Sequence, residues 1–195
     1  MKRGQGKSKH KLNDKNKSLI IVGNNVAGLK GKKDSLENLI ESLKAGIIML
    51  QETKLYREGK FQLQDFIIFE KHRNHGGGGG LLTASHVNLN PVLYEDEDSD
   101  PNFLTVDVGF RNVSIRTINA YGPQENPRKK KDVVIDEDNV NLNKSFFLKL
   151  RTEIQTARLS NKLICIQMDA NSKVGDDIIK NNPVKNISEN GKLLM

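Results

Sequence analysis

Residues 47–54, Ile47-Ile48-Met49-Leu50-Gln51-Glu52-Thr53-Lys54, join a run of apolar side chains to a run of polar ones. Four consecutive apolar residues have the length and composition of a strand buried on both faces, the kind found in sheets that helices cover. The strand stops at an amide, a carboxylate, a hydroxyl and an ammonium, so a rigid element aims polar groups out of its end.

The same grammar recurs on either side. Upstream, Leu19-Ile20-Ile21-Val22 reads as a buried strand ended by a turn at Gly23-Asn24-Asn25. Asp34-Ser35-Leu36-Glu37 has capping-box form, and Leu36, Leu39, Ile40 and Leu43 follow at helical spacing until Gly46 ends the helix. The order is strand, helix, strand. Downstream, short strands are expected at 66–69, 80–84, 103–108 and 113–120. The last two alternate apolar and polar residues and so carry one polar face. Residues 122–141, with Pro123, Pro127 and many charges, read as a loop. Phe147, Leu150, Ile154 and Ala157 mark a second amphipathic helix, and 162–168 is the last clear strand, with a loop-like chain beyond Asp169. Buried strands with intervening helices, then shorter strands, imply an α/β (α+β) fold of two packed sheets flanked by helices.

Charge narrows the organisation further. The 195 residues carry a net charge of +7. Seven Lys or Arg (Lys2, Arg3, Lys7, Lys9, Lys11, Lys15, Lys17) stand against Asp14 alone in the first 18 residues, which leaves 24 basic and 23 acidic residues in a nearly neutral body. Residues 1–17 are too polar to bury anything, so they are expected to be a disordered basic tail and 18–195 a single domain. Such a tail raises association with a polyanion or is simply a solvated terminus. The single Cys165 lies in Leu163-Ile164-Cys165-Ile166 and reads as a core residue of a reducing compartment. Apolar runs of four residues are too short for a membrane span or a signal-peptide core. An intracellular protein, nuclear or cytoplasmic, without membrane association is expected, and no obligate protein partner is evident.

Two conspicuous features carry little chemistry. The glycine run 76–80 fits no dinucleotide or Walker pattern, and a strand follows it where a phosphate loop needs a helix. His72 and His75 have no Cys or further His nearby to complete a zinc site.

Four polar clusters follow buried strands: Asn24-Asn25-Val26-Ala27-Gly28-Leu29, Gln51-Glu52-Thr53-Lys54, Asn119-Ala120-Tyr121-Gly122-Pro123-Gln124 and Met168-Asp169-Ala170-Asn171. Singly each is an ordinary turn; in this order they resemble the motifs of the endonuclease/exonuclease/phosphatase superfamily, whose fold is DNase I-like. Asn25-Val26-Ala27-Gly28-Leu29 is similar to the family's first motif, Gln51-Glu52-Thr53 to its metal-binding motif, Tyr121-Gly122-Pro123 to its Tyr-x-Pro, and Asp169-Ala170-Asn171 to its Asp-x-Asn. Together with Ser188-Glu189-Asn190-Gly191, the last motif looks most like endonuclease domains of non-LTR, LINE-type retrotransposons, which are associated with reverse transcriptases.

The resemblance implies a Mg²⁺- or Mn²⁺-dependent hydrolase that nicks DNA. Glu52 and Asn25 would hold the metal, and Asn25, Tyr121, Asp169 and Asn171 would form the catalytic set. In that set Asp169 handles the attacking water, Asn171 positions it, and Tyr121 stabilises charge on a phosphate oxygen; Lys54 and Gln124 would bind substrate. These residues are expected to converge at one end of the two sheets. The sequence departs from the family pattern at Ala27, Gln124 and Gln167, the last standing where Gly is usual. The family's later strands and Ser-Asp-His motif are not found. The domain is therefore expected to be incomplete, with its last strands missing, and to be a poor nuclease. A phosphatase or phospholipid phosphodiesterase of the same fold, and an inactive fragment or DNA-binding remnant, remain alternative readings.

Overall fold

Two parallel strand pairs, each closed by a helix, organise the chain. The computed structural model describes residues 18–55, 61–72, 79–95, 100–123 and 137–171. The first sheet contains β1 (Ile21–Asn25), β2 (Ile47–Gln51), β3 (Phe66–Lys71) and β4 (Leu81–His86), in the spatial order β1-β2-β4-β3. The second contains β5 (Val92–Tyr94), β6 (Phe103–Phe110), β7 (Val113–Tyr121) and β8 (Leu163–Asp169), in the order β5-β6-β7-β8. Parallel neighbours cannot be joined by a hairpin. Helix α1 (Lys33–Leu43) therefore links β1 to β2, and α2 (Glu137–Leu159) links β7 to β8.

The layers follow from period-two alternation along β2. Ile47 and Met49 point between the sheets, where they pack with Leu89, Val106 and Val108. Ile48 and Leu50 point outward beneath α1, against Leu36, Ile40, Leu82 and Ala84. Both faces are covered, which is why the run is apolar without interruption. Full burial of each such side chain is worth about 1.5–3 kcal/mol. On the far side, Phe146 and Leu150 of α2 cover Phe103, Ile118 and Ala120, and the Phe103 and Phe146 rings stack with centroids 4.7 Å apart. The expected two-sheet arrangement flanked by helices is thus the one observed.

Several local expectations are corrected. β1 does not stop at Val22 but pairs on to Asn25, opposite Gln51, so Gly23-Asn24-Asn25 is strand rather than turn. Asp34 lies in the first turn of α1; the N-cap is Lys32, whose side chain makes no capping hydrogen bond. The helix ends at Lys44, in left-handed conformation at φ 53°, rather than at Gly46, and Leu39 and Leu43 are exposed. Strand β5 was not anticipated. β6 and β7 lack a consistently polar face, because Thr105, Arg116, Thr117 and Asn119 are all buried. α2 begins at Glu137, within the stretch read as loop. Cys165 is only partly buried, and burial raises the pKa of its thiol. No helix among the described residues is long and apolar enough to cross a membrane. The basic tail, His75, Gly76 to Gly78, Gln124 and everything after Asn171 lie outside the described residues.

Candidate active site at the strand ends

Register brings the four clusters together. In the first sheet Asn25 is opposite Gln51, and in the second Tyr121 is opposite Asp169, so each parallel pair ends level. Beyond the last pairs the backbone stays laced: Val26 N donates to Gln51 O, Gly28 N to Glu52 O and Leu29 N to Thr53 O. Thr53 N and Lys54 N donate in turn to Gly80 O and Gly79 O. Glu52 is therefore held between two neighbouring loops.

Asn25 is the hub. Its Nδ2 donates to Glu52 Oε1 at 3.0 Å and to Asp169 Oδ2 at 2.7 Å, while its Oδ1 accepts from Ala27 N at 3.0 Å. Two carboxylates require the NH₂ end and an amide N–H requires the oxygen, so the three contacts agree on one orientation of the side chain. The Tyr121 hydroxyl donates to Glu52 Oε1 at 2.9 Å. Asp169 Oδ1 accepts from Asn171 N at 2.9 Å, and Asn171 Nδ2 donates to Gly122 O at 2.6 Å. Lys54 Nζ stands 4.0 Å from Glu52 Oε2, an exposed pair of small energetic worth.

These contacts set the charge state of Glu52. The Asn25 amide lowers its pKa most, burial opposes, and the Tyr121 hydroxyl and Lys54 ammonium add to the lowering, so the carboxyl is held below its ordinary value. Both hydrogen bonds fall on Oε1, which leaves Oε2 without one among the described residues. No group of three His, Cys, Asp or Glu converges among the described residues. A donor set of two carboxylates with an amide between them suits a hard cation that retains several waters, as Mg²⁺ does. In the observed rotamer Asn25 turns its nitrogen, not its oxygen, toward Glu52, so Glu52 is the better placed of the two metal candidates.

The site stores backbone strain. Among the described residues, Ala27, Glu52, Lys54 and Asn171 all have positive φ, between 48° and 52°. Non-glycine residues there cost of order 1 kcal/mol or more each, and such positions gather where geometry is over-determined for function. Gly80, at φ 89°, has a further reason to be glycine, because a Cβ would lie 2.7 Å from Thr53 Oγ1.

Two features lay unassigned in the sequence. Asn119 spans the gap between the sheets: its Nδ2 donates to Leu82 O at 2.9 Å and Leu50 O at 3.2 Å, and its Oδ1 accepts from Gln51 Nε2 at 2.6 Å. Both amides are fully buried and form the floor beneath Glu52 and Tyr121. Their position beside Glu52 and Tyr121 in the polar clusters was the available signal. The second feature is Asp107, which accepts from Arg116 Nε and Nη2 at 2.8 and 2.9 Å and from Lys162. Arg116 is buried and its guanidinium lies 3.7 Å from the centre of the Tyr94 ring. Its charge was invisible as a core element because sequence alone did not reveal that both faces of β7 are covered.

Comparison with solved structures identifies the scaffold. The endonuclease domain of TRAS1, a telomere-specific non-LTR retrotransposon, is similar over 91% of this chain and 68% of that one, with TM-score 0.57 and 18% identity. The catalytic domain of Xenopus laevis APE2 is similar over 89% and 66%, with TM-score 0.58 and 19% identity. A 3′ phosphatase, NExo from Neisseria, bound to a product DNA hairpin, is similar over 82% and 60%, with TM-score 0.57 and 18% identity. The chain thus spans roughly two thirds of the length of these structures or somewhat less. No family model and no curated protein matches the sequence. These likenesses show the fold, a DNase I-like sandwich of two sheets.

Proposed function

We propose that this chain hydrolyses phosphodiester bonds in DNA as a divalent-metal-dependent endonuclease domain of the retrotransposon type. The observation that carries the reading is the meeting of Asn25, Glu52, Tyr121 and Asp169, from the ends of three strands and the loop after a fourth, within hydrogen-bonding distance. The order of motifs in the sequence supports it, as do similar structures that include a retrotransposon endonuclease domain and a 3′ phosphatase bound to product DNA.

Glu52, with Asn25 beside it, would hold Mg²⁺ or Mn²⁺. When bound, the ion supplies Lewis-acid polarisation of the scissile phosphate. Asp169 accepts the proton of the attacking water, and its two oxygens are fixed for that task by Asn25 Nδ2 and Asn171 N. Asn171, anchored through Nδ2 to Gly122 O, leaves its Oδ1 to orient the water. The Tyr121 hydroxyl stabilises charge on a phosphate oxygen, a role in which its proton turns away from Glu52. Lys54 contacts a phosphate of the substrate strand, and Gln124 is assigned the same task from the sequence pattern. The basic tail adds sequence-independent attraction to DNA.

Supercoiled plasmid and phosphoinositide vesicles, offered in parallel with Mg²⁺, test the substrate class. Nicked circles without phosphate release from lipid are expected; the reverse result would move the site to lipid chemistry.

A further inference from the structure

Gly23 and Gln167 meet across the gap between the sheets, where β1 and β8 are the outermost of the described strands on that side. A Cβ at position 23 would lie 2.2 Å from Gln167 Cδ, 2.3 Å from Oε1 and 2.5 Å from Cγ. The Gln167 side chain therefore lies directly on the bare α-carbon of Gly23. Gly23 is not among the residues with positive φ, so it is glycine for space and not for conformation.

Strand periodicity places this contact. Gly23 and Asn25 share one face of β1, and Gln167 and Asp169 share one face of β8. The Gly23–Gln167 contact is thus the rung immediately inside the Asn25–Asp169 hydrogen bond. Gln167 is half-buried and its side chain makes no hydrogen bond among the described residues, so it acts through its shape.

We infer that Gln167 is a positioning residue: lying across Gly23, it sets the separation of β1 and β8 at which Asn25 Nδ2 meets Asp169 Oδ2. Its catalytic consequence rests on the proposed nuclease function; the spacing itself does not. Any side chain at 23 evicts Gln167 while leaving it chemically intact, and shortening Gln167 removes the same brace from the other strand.

The side-chain amide resonances of Asn25, assigned by their loss in Asn25→Ala, read the spacing directly. Gln167→Gly and Gly23→Ala should each move them toward their position in Asp169→Ala, Gln167→Met should leave them in place, and the Gly23→Ala/Gln167→Gly pair should be no worse than Gln167→Gly. If Gly23→Ala does not fold, Gln167→Gly and Gln167→Met decide the matter. In nicking assays Gln167→Gly should lower kcat about 10- to 100-fold with KM for DNA nearly unchanged, the range typical of supporting residues. Unmoved resonances in folded Gln167→Gly protein, or equal damage from Gln167→Met, would overturn the inference. Failure of the unaltered chain to nick would count against the nuclease reading alone, since the resonances still decide the brace.

Discussion

Asn25 and Asp169, 144 positions apart, are joined by a 2.7 Å hydrogen bond that ties the last residue of β1 to the last residue of β8. The same amide hydrogen-bonds Glu52, so one side chain spaces two carboxylates that would otherwise repel at close range.

Removing that amide should be felt at Glu52 first. Asn25→Ala should raise the Glu52 pKa, and Tyr121→Phe should raise it less, following the order of their effects on the carboxyl. Because the folded pKa is depressed, Glu52 stabilises the fold above its unfolded pKa, and that contribution disappears as pH falls through the folded value. Carboxyl-detected NMR titration checks both shifts; a Glu52 pKa unchanged in Asn25→Ala would contradict the hub assignment.

Asp107 should govern stability in acid. Burial pushes its pKa up, but hydrogen bonds from Arg116 and Lys162 outweigh burial and hold it below its ordinary value. Its contribution is full above the unfolded carboxylate pKa, about 3.9, and is lost as pH drops below that. Asp107→Ala leaves the buried Arg116 charge uncompensated and should cost about 3–5 kcal/mol in urea unfolding at neutral pH.

Asn119→Ala strips the donor from two strand carbonyls and the acceptor from Gln51 in a fully buried site. A loss of about 2–3 kcal/mol is expected by denaturant unfolding, since each unpaired buried polar group costs about 1–3 kcal/mol. A loss below half a kcal/mol would mean that the inter-sheet amide pair is not a structural tie.

Gly122→Ala should act on Asn171 without touching it. A Cβ at 122 would lie 2.8 Å from Ala170 O and 3.0 Å from Ala170 C, backbone atoms that cannot swing aside, and Gly122 O is the acceptor of Asn171 Nδ2. Overpacking of this kind costs about 1–3 kcal/mol. Nicking should fall with it, and a crystal structure of the variant should show Asn171 displaced.

What the sequence made legible was the part written in local patterns. Residues 47–50 announced a doubly covered strand by being apolar throughout, Leu36 and Ile40 announced the buried face of α1, and polar clusters directly after apolar runs marked the strand ends. What it hid depended on the partner across a gap. Gly23-Asn24-Asn25 looks like a turn until Gln51 is seen opposite. β5 has only three residues and is recognisable as a strand mainly through its pairing with β6. Thr105 and Arg116 read as solvent-facing because their partners, Glu153 of α2 for Thr105 and the Tyr94 ring for Arg116, are reached only in the folded chain. Gln167 read as a departure from a family pattern, and its fit onto Gly23 required the sheets to be brought together.

Plasmid nicking by the unaltered chain beside Glu52→Ala and Asp169→Ala tests the account most directly. With Mg²⁺ the unaltered chain should convert supercoiled plasmid to nicked circles, however slowly, and EDTA or either substitution should abolish the conversion while circular dichroism stays native. Nicking that survives both substitutions, or a folded, metal-saturated chain that leaves the plasmid intact, would contradict it.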